Sequence, residues 1–293
     1  MRAPLPALVG ALLSLSLGLP HAAQAESVVQ RVGRTGQLKV LVMNDDLPYT
    51  TAQGKGYAGL AMEFVAEMQR DLSKALGKPV QVKTVPAQSI DEGLGAIFLG
   101  KADIACGVSF SWGAANVVDY TLPFALTGVR LLAPAGNDGT PSALAGQQIG
   151  VVKNSLAAAT MAAAVPKAKL VPFENPQAAL TALGSGKVNV LAGDSLWLMA
   201  NRSSAGSSTN LVPTVPYNRS AVACIVAENN SGILNVSNYA IARLLQAYIN
   251  GDPQVRQRIN RWIGPGSSLN LSQDAITGYF TNVLLSAALV SQS

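Results

Sequence analysis

The chain has little histidine, little charge and few aromatic residues, and each shortage excludes a class of function. Its 293 residues include one histidine, His21, with 13% charged and 5% aromatic residues. If His21 is removed with a leader, the mature chain has no imidazole, which excludes a Ser-His-Asp triad, a Cys-His pair and an HExxH zinc site. The formal net charge is +5, without a basic stripe or nucleic-acid motif. We therefore expect no metal, no cofactor and no nucleic-acid partner.

Apolar residues are abundant, at 49% of the chain. This content is ample for a large core and too high for a disordered chain, and the length favours about two domains. Residues 1–25 combine a cation at Arg2, an apolar run of about 15 residues and a small-x-small sequence ending at Ala25, the layout of a cleaved signal peptide. The run is short for a membrane anchor, which is the alternative. We therefore expect a periplasmic protein whose mature chain begins at residue 26.

The apolar pattern alternates between strands and helices, and this order restarts after Pro141. We predict strands at 38–43, 80–85, 103–108, 148–152, 170–172, 188–192 and 221–226, and helices at 59–76, 90–99, 156–164, 177–183, 195–201, 236–249, 253–263 and 273–289. Alternation indicates crossover connections and mostly parallel sheets. Two such units in an exported protein predict two lobes that meet at a cleft, where the strands end and ligands bind.

Short motifs in a fixed order add a family resemblance. They lie at 36–40 (GQLKV), 47–49 (LPY), 57–64 (YAGLAMEF), 100–104 (GKADI), 107–111 (GVSFS), 117–124 (VVDYTLPF), 144–151 (LAGQQIGV), 182–190 (ALGSGKVNV) and 251–264. None is specific alone, but together they resemble family 3 extracellular solute-binding proteins, the periplasmic components of polar amino-acid ABC transporters. The resemblance covers about residues 36–264.

The resemblance implies the type II periplasmic-binding-protein fold, an α/β protein with two lobes. Two strands would cross the hinge, near 124–132 and 214–223. The first lobe would be discontinuous, with 26–127 and 218–293, and the second would be 128–217. A single continuous sheet would argue against this division. As a monomer, the protein would close on a small polar solute and deliver it to a membrane ABC permease.

The implied ligand site departs from the family at one important position. The family's carboxylate-binding arginine falls at Ala114, and alanine cannot grip a carboxylate as an arginine fork does. Asp194 falls where the family has an acid for the ligand's ammonium group. We therefore expect a ligand with a cationic or neutral donor end.

The residues expected to contact the ligand are Tyr49, Ser109, Ser111, Trp112, Asn154, Ser155 and Asp194. The two aromatic residues could instead fill core, the first two serines could end a strand, and Asp194 could only cap the next helix. Asn154 and Ser155 precede a predicted helix, whose N-terminus suits a carboxylate but also needs a cap. Further possible contacts are Arg130, Arg219 and Gln88. Either arginine could replace the missing one or be an ordinary surface charge.

Two cysteines, Cys106 and Cys224, fall in strands that the resemblance places side by side. Export favours a disulfide, and the alternative is two buried thiols. We expect the two residues to be close enough to bridge.

Two rival functions stay open beside solute binding. Some relatives of this fold are periplasmic dehydratases of cyclohexadienyl acids, and Glu174 or Asp194 could then be a catalytic acid. The missing arginine disfavours such an acidic substrate. The other rival is a ligand-sensing module for a separate membrane partner. We expect a binding protein with no catalytic residues.

Overall fold

The structure is a computed structural model that describes residues 26–206 and 208–290, so the expected signal peptide lies outside the described residues. The strands are β1 (Gln37–Met43), β2 (Thr51–Gln53), β3 (Gly56–Ala58), β4 (Gln81–Ala87), β5 (Ile104–Ser109), β6 (Val118–Tyr120), β7 (Ala125–Pro134), β8 (Gln148–Val152), β9 (Lys169–Phe173), β10 (Val190–Asp194), β11 (Thr209–Val212) and β12 (Asn218–Ala227). The helices are α1 (Val28–Thr35), α2 (Leu60–Leu76), α3 (Ile90–Phe98), α4 (Pro141–Leu144), α5 (Leu156–Ala164), α6 (Pro176–Gly184), α7 (Ser195–Asn201), α8 (Ser231–Ile249), α9 (Pro253–Ile263) and α10 (Gln273–Val290), with 3₁₀ turns at Ala114–Asn116 and Arg202–Ala205.

The main sheet has two parallel blocks joined by two antiparallel strands. Its order is β4-β1-β5-β12-β7-β10-β8-β9, with β6 beside β12 and β11 beside β7. β1 runs parallel to β4 and β5, and β8 runs parallel to β9 and β10. Between the blocks, β7 and β12 pair antiparallel with each other. This is the two-lobed periplasmic-binding-protein fold that the sequence predicts.

The hydrogen-bonded sheet is continuous through β7 and β12, so it marks no boundary between the lobes. The hydrophobic clusters separate the two ends of the sheet more clearly than its hydrogen bonds do. One large cluster includes Phe64, Phe124 and Tyr248, and it lies on the β4 side. Two smaller clusters, centred on Ile149 and Leu180, use residues between 129 and 217. The proposed lobe boundaries at 127/128 and 217/218 stay a prediction, and we keep the terms first lobe and second lobe for those ranges.

Helix α2 shows how the sequence builds the first-lobe core. Its buried face carries Leu60, Phe64, Met68 and Leu72, four residues apart, as in an amphipathic helix. Gly77 ends it with a left-handed φ of 63°, which favours glycine. The result is one apolar face against α8 and α9 and one polar face outside.

Helix α10 packs against α8 and contacts the crossing strand β7. Phe280 is buried against Tyr248 of α8, with ring centroids 5.0 Å apart. The hydroxyl of Tyr279 donates a 2.9 Å hydrogen bond to the carbonyl of Ala125, in the crossing strand β7. Among the described residues, no helix combines the length and the apolar character that a membrane span needs.

The predicted helices and strands agree with the structure to within a few residues, and the omissions are short elements. The bounds of α5, α7 and α9 match the predictions. The sequence prediction lacked α1, although its start shows a capping box in which Ser27 and Gln30 bond each other's backbone N–H groups. It also lacked the hairpin β2–β3, whose three-residue strands are too short for a periodic pattern.

A disulfide joins Cys106 of β5 to Cys224 of β12. The two residues lie opposite each other in the antiparallel ladder. The bond therefore ties the crossing strand β12 to the first-lobe block.

Candidate functional site

A cavity of about 240 Å³ lies where β1, β5 and β10 end beside the crossing strand β7. Asp46 and Tyr49 come from the loop after β1, Ser109 from the end of β5, and Asp194 from the end of β10. The carboxyl ends of parallel strands are where α/β sheets bind ligands. The cavity therefore occupies the expected position for a ligand site, with residues from both lobes.

Among the described residues, Asp194 accepts hydrogen bonds from hydroxyl and backbone N–H donors, all of them neutral. The hydroxyls of Tyr49 and Ser109 donate to its carboxylate at 3.1 and 3.2 Å. The backbone N–H groups of Leu196 and Trp197 donate at 3.0 and 2.9 Å, so Asp194 also caps α7. Burial raises the pKa of Asp194, against hydrogen bonds that lower it, foremost the one from Trp197. One carboxylate thus caps a helix and joins the two lobes.

Asp46 is the second carboxylate of the cavity, and its side chain has no partner among the described residues. Its backbone is fixed, because Asp46 and Thr50 bond each other's backbone in a short bridge. Among the described residues, none donates a hydrogen bond to its side chain or forms an ion pair with it. Burial, and then the negative charge of Asp194, raise the pKa of Asp46 well above its ordinary value. The protein therefore keeps an acid in a site that disfavours its charge.

Tyr49 is the link between these acids, and two glycines allow its position. It is 2% exposed. A Cβ at Gly107 would lie 2.7 Å from the Cβ of Tyr49, and one at Gly59 would lie 2.0 Å from its carbonyl oxygen. Burial, followed by the charges of Asp194 and Asp46, raises the pKa of Tyr49, so its phenol stays protonated and donates to Asp194.

The remaining lining is mostly apolar, and it includes no cation. Leu41, Leu94, Val129 and Ile225 contribute aliphatic surface. Among the described residues that line the cavity, there is no lysine, arginine or histidine. Ala114, where the resemblance expects the carboxylate-binding arginine, is itself part of the lining. The part of the lining that the structure describes thus offers two acids and no cationic side chain for a carboxylate.

Neither candidate replacement for the missing arginine lines the cavity. The guanidinium of Arg130 donates to the carbonyls of Pro213 and Leu211, at 2.6 and 2.7 Å. Arg219 is exposed on β12. In this structure Arg130 therefore braces the connection between β11 and β12.

The other predicted contacts divide between the cavity and its surroundings. Ser111, Asn154 and Ser155 line the cavity with Tyr49, Ser109 and Asp194. Trp112 is 82% exposed and packs edge-on against Phe110, and it is outside the lining. Gln88 is also outside, and its backbone N–H donates to Glu92. Whether any of these residues binds ligand stays a prediction.

The sequence-based prediction missed Asp46. The signal was present, because Asn44, Asp45 and Asp46 directly follow β1, at the end of a strand where ligands bind. In the sequence alone, that polar run indicates only the break that ends the strand.

Hydrogen bonds cross the cleft at several points besides Asp194. The side-chain amide of Asn154 donates to both carboxylate oxygens of Asp91, at 2.9 and 2.8 Å. From α7, Trp197 and Asn201 donate to the carbonyls of Asp45 and Leu47, at 3.4 and 3.2 Å. The loop that carries Asp46 is therefore positioned by both lobes.

The described residues contain no cluster of three or more His, Cys, Asp or Glu side chains that could hold a metal ion.

Comparison with known proteins supports the fold. No family model matches the chain. The virulence sensor protein BvgS of Bordetella bronchiseptica is 28% identical over 230 residues, which are 76% of this chain. The chain spans only 17% of the length of the BvgS proteins it matches.

Three solved structures with a similar fold share 17–19% identity with the chain. An amino acid ABC transporter substrate-binding protein from Streptococcus pneumoniae, bound to L-arginine, has a TM-score of 0.67 and covers 80% of this chain and 97% of its own. The ancestral amino acid-binding protein AncCDT-1, a precursor of cyclohexadienyl dehydratase, has a TM-score of 0.67, covering 81% and 100%. The BvgS VFT2 domain of Bordetella pertussis has a TM-score of 0.63, covering 80% and 96%.

Proposed function

We propose that this chain is a periplasmic solute-binding protein of the family 3 type, which captures a small polar solute between its two lobes. The observation that carries the proposal is the cavity at the strand ends, lined from both lobes and containing the unpartnered carboxylate of Asp46. The solute would lie against Asp46, Tyr49, Ser109 and Asp194, and the crossing strands would act as the hinge.

Delivery of the bound solute to a membrane ABC permease is our first proposal for the role of binding. It is supported by the ordered family motifs in the sequence and by the similarity to the pneumococcal ABC transporter protein. A second candidate, ligand sensing for a separate membrane partner, is supported by the similarity to BvgS. Uptake of the solute by cells that lack this protein distinguishes the two. Delivery predicts lost uptake, whereas sensing predicts normal uptake and a lost transcriptional response to the solute.

We do not propose an enzyme. Glu174, one candidate acid, is an exposed partner of Lys153 and does not line the cavity. Asp194 lines the cavity, but an acidic substrate of the dehydratase type would meet two carboxylates and no cationic side chain. A buried charge without a partner is costly, so the cavity disfavours such a substrate.

The test of solute binding is a thermal-shift screen of the purified protein, followed by calorimetry. The panel holds amino acids, amines, polyamines, neutral solutes and organic acids. A ligand at 100 times its Kd stabilises the folded state by about 2.7 kcal/mol, which is a visible shift. We expect at least one solute to bind with a Kd in the micromolar range or below. A panel in which no solute shifts the melting temperature would contradict the proposed function.

A further inference from the structure

The charges that face the cavity do not balance. Asp46 and Asp194 both line it, and its described lining has no cationic side chain. Elsewhere in the first lobe, buried acids are paired: Asp103 is 2% exposed and bonds Arg31, and Glu67 is 9% exposed and bonds Arg258. Asp46 is only partly buried, so its unpaired carboxylate costs less than a fully buried one would, but a cationic partner still stabilises its charge. Asp46 therefore points to a ligand that brings the missing charge.

The two acids differ in what they can still accept. Asp194 already accepts bonds from two hydroxyls and two backbone N–H groups. Asp46 accepts none from the described residues. A cationic group would therefore bond Asp46 directly, and the nearby carboxylate of Asp194 would attract it as well.

Helix N-termini are the features of the cavity that favour an anion, because residues at the starts of α3 (Ser89, Ile90), α5 and α6 (Pro176) line it. Ser155, Leu156 and Ala157 line the cavity, and a helix N-terminus carries about half a positive charge. Ser155 caps the N–H group of Ala158 there. Just before the helix, Asn154 already holds the carboxylate of Asp91. These partial charges are smaller than the charge that Asp194 and an ionised Asp46 carry, and a bound cation itself favours ionisation of Asp46, so the balance still favours a cation.

We propose that the ligand is an organic cation without a carboxylate, with an ammonium or guanidinium group on Asp46 and an apolar body against the aliphatic lining. This inference rests on the proposed function, since it names the ligand of the same cavity. The proposed ligand differs from the amino acid that the family resemblance implies. Ala114 cannot bind a carboxylate as an arginine would, and the two acids would repel a carboxylate.

The test compares pairs of compounds that differ only by a carboxylate: agmatine with L-arginine, cadaverine with L-lysine, and 2-phenylethylamine with L-phenylalanine. Calorimetry on the full-length mature protein measures each Kd. We expect at least one amine to bind, and its amino-acid partner to bind at least tenfold more weakly.

The matched variants are Asp46→Asn and Asp45→Asn. Asp45 is exposed in the same loop and is absent from the lining, so its variant makes the same chemical change outside the cavity. A lost charge-assisted hydrogen bond should weaken amine binding by about tenfold to hundredfold in Asp46→Asn, and Asp45→Asn should bind as the wild type does. Circular dichroism establishes that both variants are folded.

The outcomes separate this inference from the proposed function. If an amino acid binds at least as tightly as its amine, or if a neutral or anionic solute is the ligand, the inference is wrong and solute binding stands. The inference is also wrong if folded Asp46→Asn binds the amine as the wild type does. If no solute of the whole panel binds, solute binding fails and the inference fails with it.

Discussion

The acidic side chains of α2 and the cavity acid Asp46, both in the first lobe, differ in whether arginines pair with them. On α2, Glu63, Glu67 and Asp71 are covered by arginines from α8 and α9. Arg258 donates to Glu63 at 2.7 Å and to Glu67 at 2.9 Å, and Arg243 forms an ion pair with Asp71 at 2.8 Å. In the cavity, Asp46 has no such partner among the described residues. The paired acids hold helices together, whereas the unpaired acid costs stability and is available to a ligand.

The largest effect on stability is expected from breaking the paired group. Arg258→Met should destabilise the protein by about 2–3 kcal/mol, because it leaves the largely buried Glu63 and Glu67 with fewer partners. Urea denaturation measures the free energy of unfolding. Arg261→Met is the control, since Arg261 lies on the same helix, is exposed and only stacks near Trp262. Equal stability of the two variants would show that the ion pairs contribute little.

Removing the charge of Asp46 should instead raise the free energy of unfolding. Because the folded-state pKa of Asp46 is raised, the folded protein binds its proton more tightly than the unfolded chain does. Stability is then lost as the pH rises from the ordinary aspartate pKa, near 4, toward the raised value. Asp46→Asn should therefore melt at a higher temperature than the wild type at pH 7, and the gain should vanish below about pH 4.

Melting curves between pH 3 and pH 8 test this prediction, with Asp45→Asn as the control. A constant difference between Asp46→Asn and wild type across the whole range would show that the effect is not electrostatic.

Much of the fold could be predicted from the sequence, but the second acid of the cavity could not. The four-residue repeat of Leu60, Phe64 and Met68 predicts α2 because the repeat itself is a property of helices. The position of Asp194 follows from an ordered set of motifs. Asp45 and Asp46, in contrast, are adjacent and chemically alike, and only the turn at Asp45, with its φ of 54°, leaves the second in the cavity lining and the first outside it.

Contacts across the cleft provide a smaller test. Asp91 is exposed and accepts from the neutral amide of Asn154, so it belongs to neither group of acids. Asp91→Asn should change the free energy of unfolding by no more than about 0.5 kcal/mol, as is usual for an exposed contact. It should change amine affinity less than Asp46→Asn does. A larger loss of affinity in Asp91→Asn would show that Asp91, beside the start of α5, is the main negative charge that binds the amine.

The most direct test of the account is the melting temperature of wild type and Asp46→Asn at pH 7, each with and without a saturating amine from the matched pairs. We predict that the order reverses: the variant melts higher without ligand, and the wild type melts higher with it, because the same carboxylate destabilises the free protein and binds the cation. A variant that melts no higher than wild type without ligand, and that gains as much from the amine, would contradict the account.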